Sequence, residues 1–251
     1  MNTTYIIIFF SLLIWIPWFW RYHINPYFQR KKIVLQLQQS PNIKKYLLNV
    51  ILLKKLYFGL KAKIISHRER KRLHIKDDSL VYGEIDFLSF ISLLEKVQPQ
   101  PNEVFCDLGC GTGKALLTAA LNFDLAGAIG IELLPGLCTL ANEQIKKAKT
   151  LIKLYDKNDS EHNLNQLACI QIINKDVQDC DLEKCNIVFI NATCLNLAIW
   201  QKIVEKLLCL QPGSRIIVTS KTIQHEHFQL LYQGRALMSW GMNSVTIYKK
   251  L

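Results

Sequence analysis

The run Val104-Phe105-Cys106-Asp107-Leu108-Gly109-Cys110-Gly111-Thr112-Gly113-Lys114 constrains this chain more than any other. A short apolar stretch ends in an acid, glycines follow at 109, 111 and 113, and a helix-forming stretch begins at once. Glycine lets the backbone turn through left-handed conformations and approach a ligand with no Cβ in the way. The N-terminus of the following helix presents N–H groups that have no intrahelical partner. The unit therefore reads as a buried strand, a tight binding turn and a helix. Two familiar phosphate loops fail on spacing. A P-loop needs Gly-x₄-Gly-Lys-Ser/Thr, but position 108 is Leu and 115 is Ala. A dinucleotide loop needs Gly-x-Gly-x-x-Gly, and here the third glycine comes one residue early.

From Asp77 onward short β-branched runs (104–108, 128–133, 169–173, 187–190 and 216–218) alternate with helical stretches near 87–97, 114–123, 135–154 and 195–210. That alternation predicts a parallel sheet covered on both faces. Two strand-like runs at 228–237 and 244–248, joined through Gly241, predict an antiparallel hairpin at the end. The pattern Asp-x-Gly-x-Gly-x-Gly at 107–113 resembles motif I of S-adenosylmethionine-dependent methyltransferases. The resemblance implies a loop made by Gly109, Gly111 and Gly113 facing the cofactor's amino-acid end, with Asp107 suited to its ammonium. Glu132 closes the second strand 25 residues after Asp107, where an acid accepts from ribose hydroxyls in dinucleotide folds. Asp176 follows the third strand, placed to accept from an adenine amino group, and Val177 to pack on the ring. The expected fold is α/β: a Rossmann-like, mostly parallel seven-stranded sheet with helices on both faces, preceded by an N-terminal hydrophobic helix.

Charge divides the chain. Residues 1–76 hold 15 Lys and Arg against the single acid Glu69, for a net +14, while residues 77–251 net −3. Tyr5 to Trp20 carries no charge and ends in Trp18-Phe19-Trp20, with Arg21, Arg30, Lys31 and Lys32 after it. Length near the spanning limit, interfacial aromatics and following cations predict a membrane anchor at 1–22, with the catalytic domain cytoplasmic. The alternative is a short buried or interfacial helix. Residues 23–76 read as a basic amphipathic linker whose partner is an anionic membrane surface. A helix packing on the catalytic domain is the next reading, and nucleic acid, through phosphate neutralisation, the third. Residues 77–251 form the expected catalytic domain. The eight cysteines include no Cys-x-x-Cys pair, which argues against a zinc site and for free thiols in a reducing compartment. His225 and His227 read as an exposed polar loop rather than metal ligands.

Several segments together resemble the non-SET histone-lysine methyltransferase family, of the disruptor-of-telomeric-silencing type. They are Val81-Tyr82-Gly83-Glu84, the 105–113 loop, Gly130-Ile131-Glu132, Lys175-Asp176, Val188-Phe189-Ile190-Asn191, Gly213 to Lys221 and Ser239-Trp240. The resemblance implies an S-adenosyl-L-methionine cofactor and a protein substrate with an accessible lysine. It places Tyr82 and Glu84 in a loop over the cofactor's methionine end, and Asn191 against the methyl group and incoming amine. The sequence departs from the family after Asn191, where Ala192-Thr193-Cys194-Leu195 replaces a second Asn and aromatics. The arrangement of hydrophobic N-terminus, basic segment and compact domain also resembles membrane-associated lysine methyltransferases. A lysine N-methyltransferase near a membrane surface is the expected function; a methyltransferase for a quinone precursor, phospholipid or other small molecule is the alternative.

Overall fold

A computed structural model describes residues 19–20, 24–57, 61–73, 83–155 and 160–251. Three helices come first: α1 (Asn25–Leu37), α2 (Ile43–Leu56) and α3 (Lys61–Arg72). They lead into α4 (Phe87–Val97), β1 (Val104–Leu108), α5 (Lys114–Asn122), β2 (Gly127–Glu132), α6 (Pro135–Tyr155), α7 (Ser160–Ala168) and β3 (Ile170–Asn174). The chain finishes with β4 (Ile187–Asn191), α8 (Leu197–Leu207), β5 (Arg215–Thr219), β6 (Phe228–Met238) and β7 (Gly241–Lys250).

The seven strands form one sheet in the order β3-β2-β1-β4-β5-β7-β6. The first five are mutually parallel, and β7 pairs antiparallel with both β5 and β6. The mixed seven-stranded sheet thus follows the expected pattern. Side-chain alternation explains why near-continuous apolar runs make these strands. Phe105, Phe189 and Ile217 pack on one face with Phe90, Leu94 and Leu116 of α4 and α5. Cys106, Val188, Ile190, Ile216 and Val218 point to the other, against Trp200, Ile203 and Leu207 of α8.

Residues 24–72 are not free of that core. Tyr46, Val50 and Leu53 of α2 are buried among Leu117 and Leu121 of α5 and Ile145, Ala148 and Ile152 of α6. The buried Asn49 amide donates to the Leu121 carbonyl at 2.8 Å, satisfying one of the orphan acceptors at the end of α5.

The expected membrane-anchored localisation is corrected by these helices. Among the described residues no helix is long and apolar enough to cross a membrane. Lysines and arginines interrupt α1 to α3 within each few turns, and the most buried apolar residues of α2 are committed to the domain core. The apolar stretch at 5–18, with its expected hydrophobic helix, lies outside the described residues.

Candidate functional site

Parallel register brings the carboxyl ends of β1, β2, β3 and β4 to one edge. Asp107 stands beside Gly130 and Phe189, and Glu132 beside Asn174. A cavity of about 850 Å³ opens there, where open α/β sheets bind ligands. Asp107, Gly109, Gly111, Glu132, Asp176, Val177, Glu84 and Asn191 all line it.

The glycine turn is left-handed at three residues, with φ of +82° at Gly109, +55° at Gly111 and +75° at Gly113. A Cβ at Gly109 would meet no atom within 4 Å, so backbone geometry alone demands glycine there. Gly130 is different: a Cβ would fall 2.5 Å from Leu116 Cδ1 and 2.7 Å from Cys110 Sγ, so its absence lets β2 approach the loop. Glu132 then locks the turn. Its carboxylate accepts from Gly111 N at 2.9 Å and Leu134 N at 2.8 Å. Burial still pushes its pKa up against those two bonds.

Asp107 has no such support. It is 3% exposed, and no donor or cation among the described residues meets its carboxylate. Burial and the neighbouring Glu132 charge raise its pKa from 3.8 to about 8. A buried carboxylate without a partner is costly, and this one faces a cavity. In the unfolded chain the group loses its proton near pH 3.9, whereas the folded protein retains it to about pH 8. Stability of the ligand-free protein should therefore fall as pH rises between those values, because the unfolded state binds fewer protons there. Thermal unfolding across that range checks this, and Asp107→Asn should flatten the slope.

Asp176 caps a 3₁₀ turn at Val177–Asp179, accepting from Gln178 N at 2.9 Å, and so presents Val177 to the cavity. On the opposite wall the Glu84 carboxylate accepts from Thr112 Oγ1 and Lys114 Nζ, each at 3.1 Å, tying this segment to the glycine turn. The C-terminal hairpin holds the same segment. Ser239 N donates to Glu84 O at 2.8 Å, and Trp240 packs so closely on Gly83 that a Cβ there would lie 2.1 Å from its ring. Tyr82 lies outside the described residues. Asn191 closes β4, with Nδ2 donating to Gly83 O at 3.1 Å and Oδ1 accepting from Thr193 and Thr219 hydroxyls at 2.9 and 2.8 Å.

Other contributors escaped sequence reasoning. Tyr57, after α2, donates its hydroxyl to the Thr112 carbonyl inside the glycine turn at 3.0 Å. Burial raises its pKa well above the ordinary phenol value. Glu69 of α3 accepts from Gly136 N at 2.7 Å at the start of α6, and Lys63 reaches the cavity rim. Trp240, which enters the sequence reading only through the family resemblance, walls the cavity with Phe189. Glu69 as the lone acid of a basic stretch is the one such signal visible in sequence.

Residues 61–244 match the model of the family described as histone methylation protein DOT1, close to three quarters of the chain. The chain belongs to the DOT1 family. Every residue lining the cavity just described lies inside that match. Similar curated proteins include the histone-lysine N-methyltransferase, H3 lysine-79 specific, of Kluyveromyces lactis, 25% identical over 67% of this chain and 29% of that protein. Its namesake in Dictyostelium discoideum is 27% identical over 67% of this chain and 9% of that protein. The chain thus spans less than a third of these relatives. Among solved structures, TrmN from Thermus thermophilus superposes with a TM-score of 0.52 at 16% identity, covering 73% of this chain and 53% of that one. That likeness shows the shared fold. Relatives named for histone methylation also stand against the expected membrane-anchored localisation and its cytoplasmic orientation.

S-adenosylmethionine fits this DOT1-type cavity on its own chemistry. A buried carboxyl with no partner among the described residues faces the cavity, the positive-φ glycine turn brings backbone close beside it, and three further acids, Glu84, Glu132 and Asp176, edge the same space.

Proposed function

We propose that this chain transfers a methyl group from S-adenosylmethionine to a lysine side chain of a protein substrate. The observation that carries the reading is the buried Asp107 carboxylate, without a partner among the described residues, in a cavity that continues to Asn191. Asp107 would hold the cofactor's amino-acid end where the turn at Gly109 and Gly111 lets it approach the backbone, Glu132 its ribose, and Asp176 with Val177 its adenine. Gly113 starts α5 and sets the turn behind them. Glu84 acts through Lys114 and Thr112 to hold the turn closed over the methionine end. When bound, the cofactor supplies an electrophilic methyl carbon for in-line displacement, so positioning accounts for most of the catalysis. Asn191 and Tyr82 are the groups we assign to acceptor alignment. A lysine must arrive neutral, against an ordinary pKa near 10.4, and an apolar wall that includes Phe189, Trp240 and Ile85 disfavours its charged form.

The test is transfer of labelled methyl groups by the full-length protein to histones, other soluble proteins and a small-molecule extract, with Glu132→Ala as control. Label in a protein band, lost in the control and recovered as methyl-lysine on hydrolysis, is the expected result. Label confined to the small-molecule extract would overturn the lysine assignment. Asn191→Ala should lower turnover about a hundredfold, on the scale of a lost orienting group. Calorimetric cofactor affinity should stay within about twofold. A matching loss of affinity would remove Asn191 from the acceptor side.

A further inference from the structure

Beyond Asn191, where the sequence leaves the family pattern, the structure has built something in place of aromatics. Thr193 Oγ1 lies 2.9 Å from Asn191 Oδ1 and 2.8 Å from Ser220 Oγ. Asn243 Nδ2 lies 2.6 Å from Ser220 Oγ and 3.1 Å from Thr193 Oγ1. Thr219 Oγ1 completes the group at 2.8 Å from Asn191 Oδ1. These residues come from the ends of β4, β5 and β7, and only Asn191 and Thr193 reach the cavity.

One carbonyl settles every proton in this cluster. Gly83 O can only accept, so the Asn191 atom facing it is Nδ2, and Oδ1 must accept from both threonine hydroxyls. Thr193 has then committed its single hydrogen, and Ser220 must donate at the 2.8 Å contact. With both hydroxyl hydrogens committed, Asn243 Nδ2 donates to both oxygens. The direction runs one way, from Asn243 through Ser220 and Thr193 to Asn191.

Ser220 adopts φ +66°, one of two described non-glycine residues with positive φ. L side chains rarely enter that region, and strain of this kind gathers at functional sites. Here it accompanies the placement of the serine hydroxyl between its two partners.

We propose that Thr193, Ser220 and Asn243 are positioning residues for the methyl acceptor, acting by locking the Asn191 amide at the cavity wall. The lock leaves both Oδ1 lone pairs occupied and one Nδ2 hydrogen that no described residue accepts, available to a group bound in the cavity. It also couples β7 to the Gly83 segment through the side chains of Thr193, Ser220 and Asn191. The proposal rests on the methyl-transfer reading and places part of the acceptor selectivity in three residues of which only Thr193 reaches the cavity.

Three variants of the full-length protein test it. Thr193→Val removes the hydroxyl at nearly constant shape, Thr193→Ser restores it, and Ser220→Gly deletes a hydroxyl while relieving the backbone. Asparagine-labelled protein reports on the lock through the Asn191 side-chain amide resonances, assigned by their loss in Asn191→Asp. Those resonances should shift in Thr193→Val and Ser220→Gly but stay in place in Thr193→Ser. Turnover of a methylated protein should fall about tenfold in the first two, the scale of one misplaced hydrogen bond, with cofactor affinity within about twofold of wild type. Unmoved Asn191 resonances in Thr193→Val would overturn the proposal, as would equal losses in Thr193→Ser. A wild-type protein that methylates nothing would instead overturn the methyl-transfer reading, and the resonances would still decide the lock.

Discussion

Asp107→Asn is expected to bind S-adenosylmethionine on the order of a hundredfold more weakly, a loss of about 3 kcal/mol. The substitution keeps the shape of the side chain and removes only its charge. In the ligand-free protein that charge is a liability, since burial and Glu132 push the carboxyl up to about 8. The same variant should therefore be at least as stable as wild type near pH 8 while binding far less cofactor. Opposite movement of stability and affinity separates a binding carboxylate from a structural one. Titration calorimetry at pH 8 with a parallel thermal melt makes the comparison. Wild-type affinity should also weaken as pH falls below about 8, because a cationic ligand selects the ionised carboxylate and must displace its proton. Parallel loss of stability and affinity in the variant would show that Asp107 holds the fold instead.

Leu53→Ala in α2 is expected to destabilise the protein by about 2–5 kcal/mol, the range for truncating a fully buried leucine. Leu53 is 0% exposed and packs between α5 and α6. The neighbouring Leu48, 68% exposed on the outer surface of the same helix, provides the control. Leu48→Ala should change stability by less than about 0.5 kcal/mol. Denaturant unfolding of both variants measures the difference. Similar small effects at both positions would return α2 to the status of a peripheral segment. A large effect at Leu53 should also reach the cofactor site, since Tyr57 leaves the same helix and holds the glycine turn through the Thr112 carbonyl.

Much of the sheet is legible because its central strands β1, β4 and β5 are buried on both faces, so each reads as a short apolar run. The hairpin at the end showed itself by its break at Gly241, which takes φ +130° in the structure. Helix α7 is nine mostly polar residues with only Asn163 and Leu167 buried, so it offers no apolar run to read. Composition points the basic N-terminal third toward a lipid surface, because it is the same whether its leucines meet lipid or protein. Only packing against α5 and α6 distinguishes those environments.

What the sequence determined by itself is local and periodic: the glycine turn, the acids at 107, 132 and 176, and the order of strands and helices. Each follows from backbone sterics or side-chain alternation within a few residues. Tertiary structure alone decided which distant groups meet. It set Tyr57 and Glu69 against the two turns of the cofactor cavity and Trp240 on Gly83, and joined Asn243 to Asn191 through Ser220 and Thr193. Those contacts join residues tens to more than a hundred positions apart. Register, strand order and helix docking fix such distances, and no pattern local to any one segment encodes them.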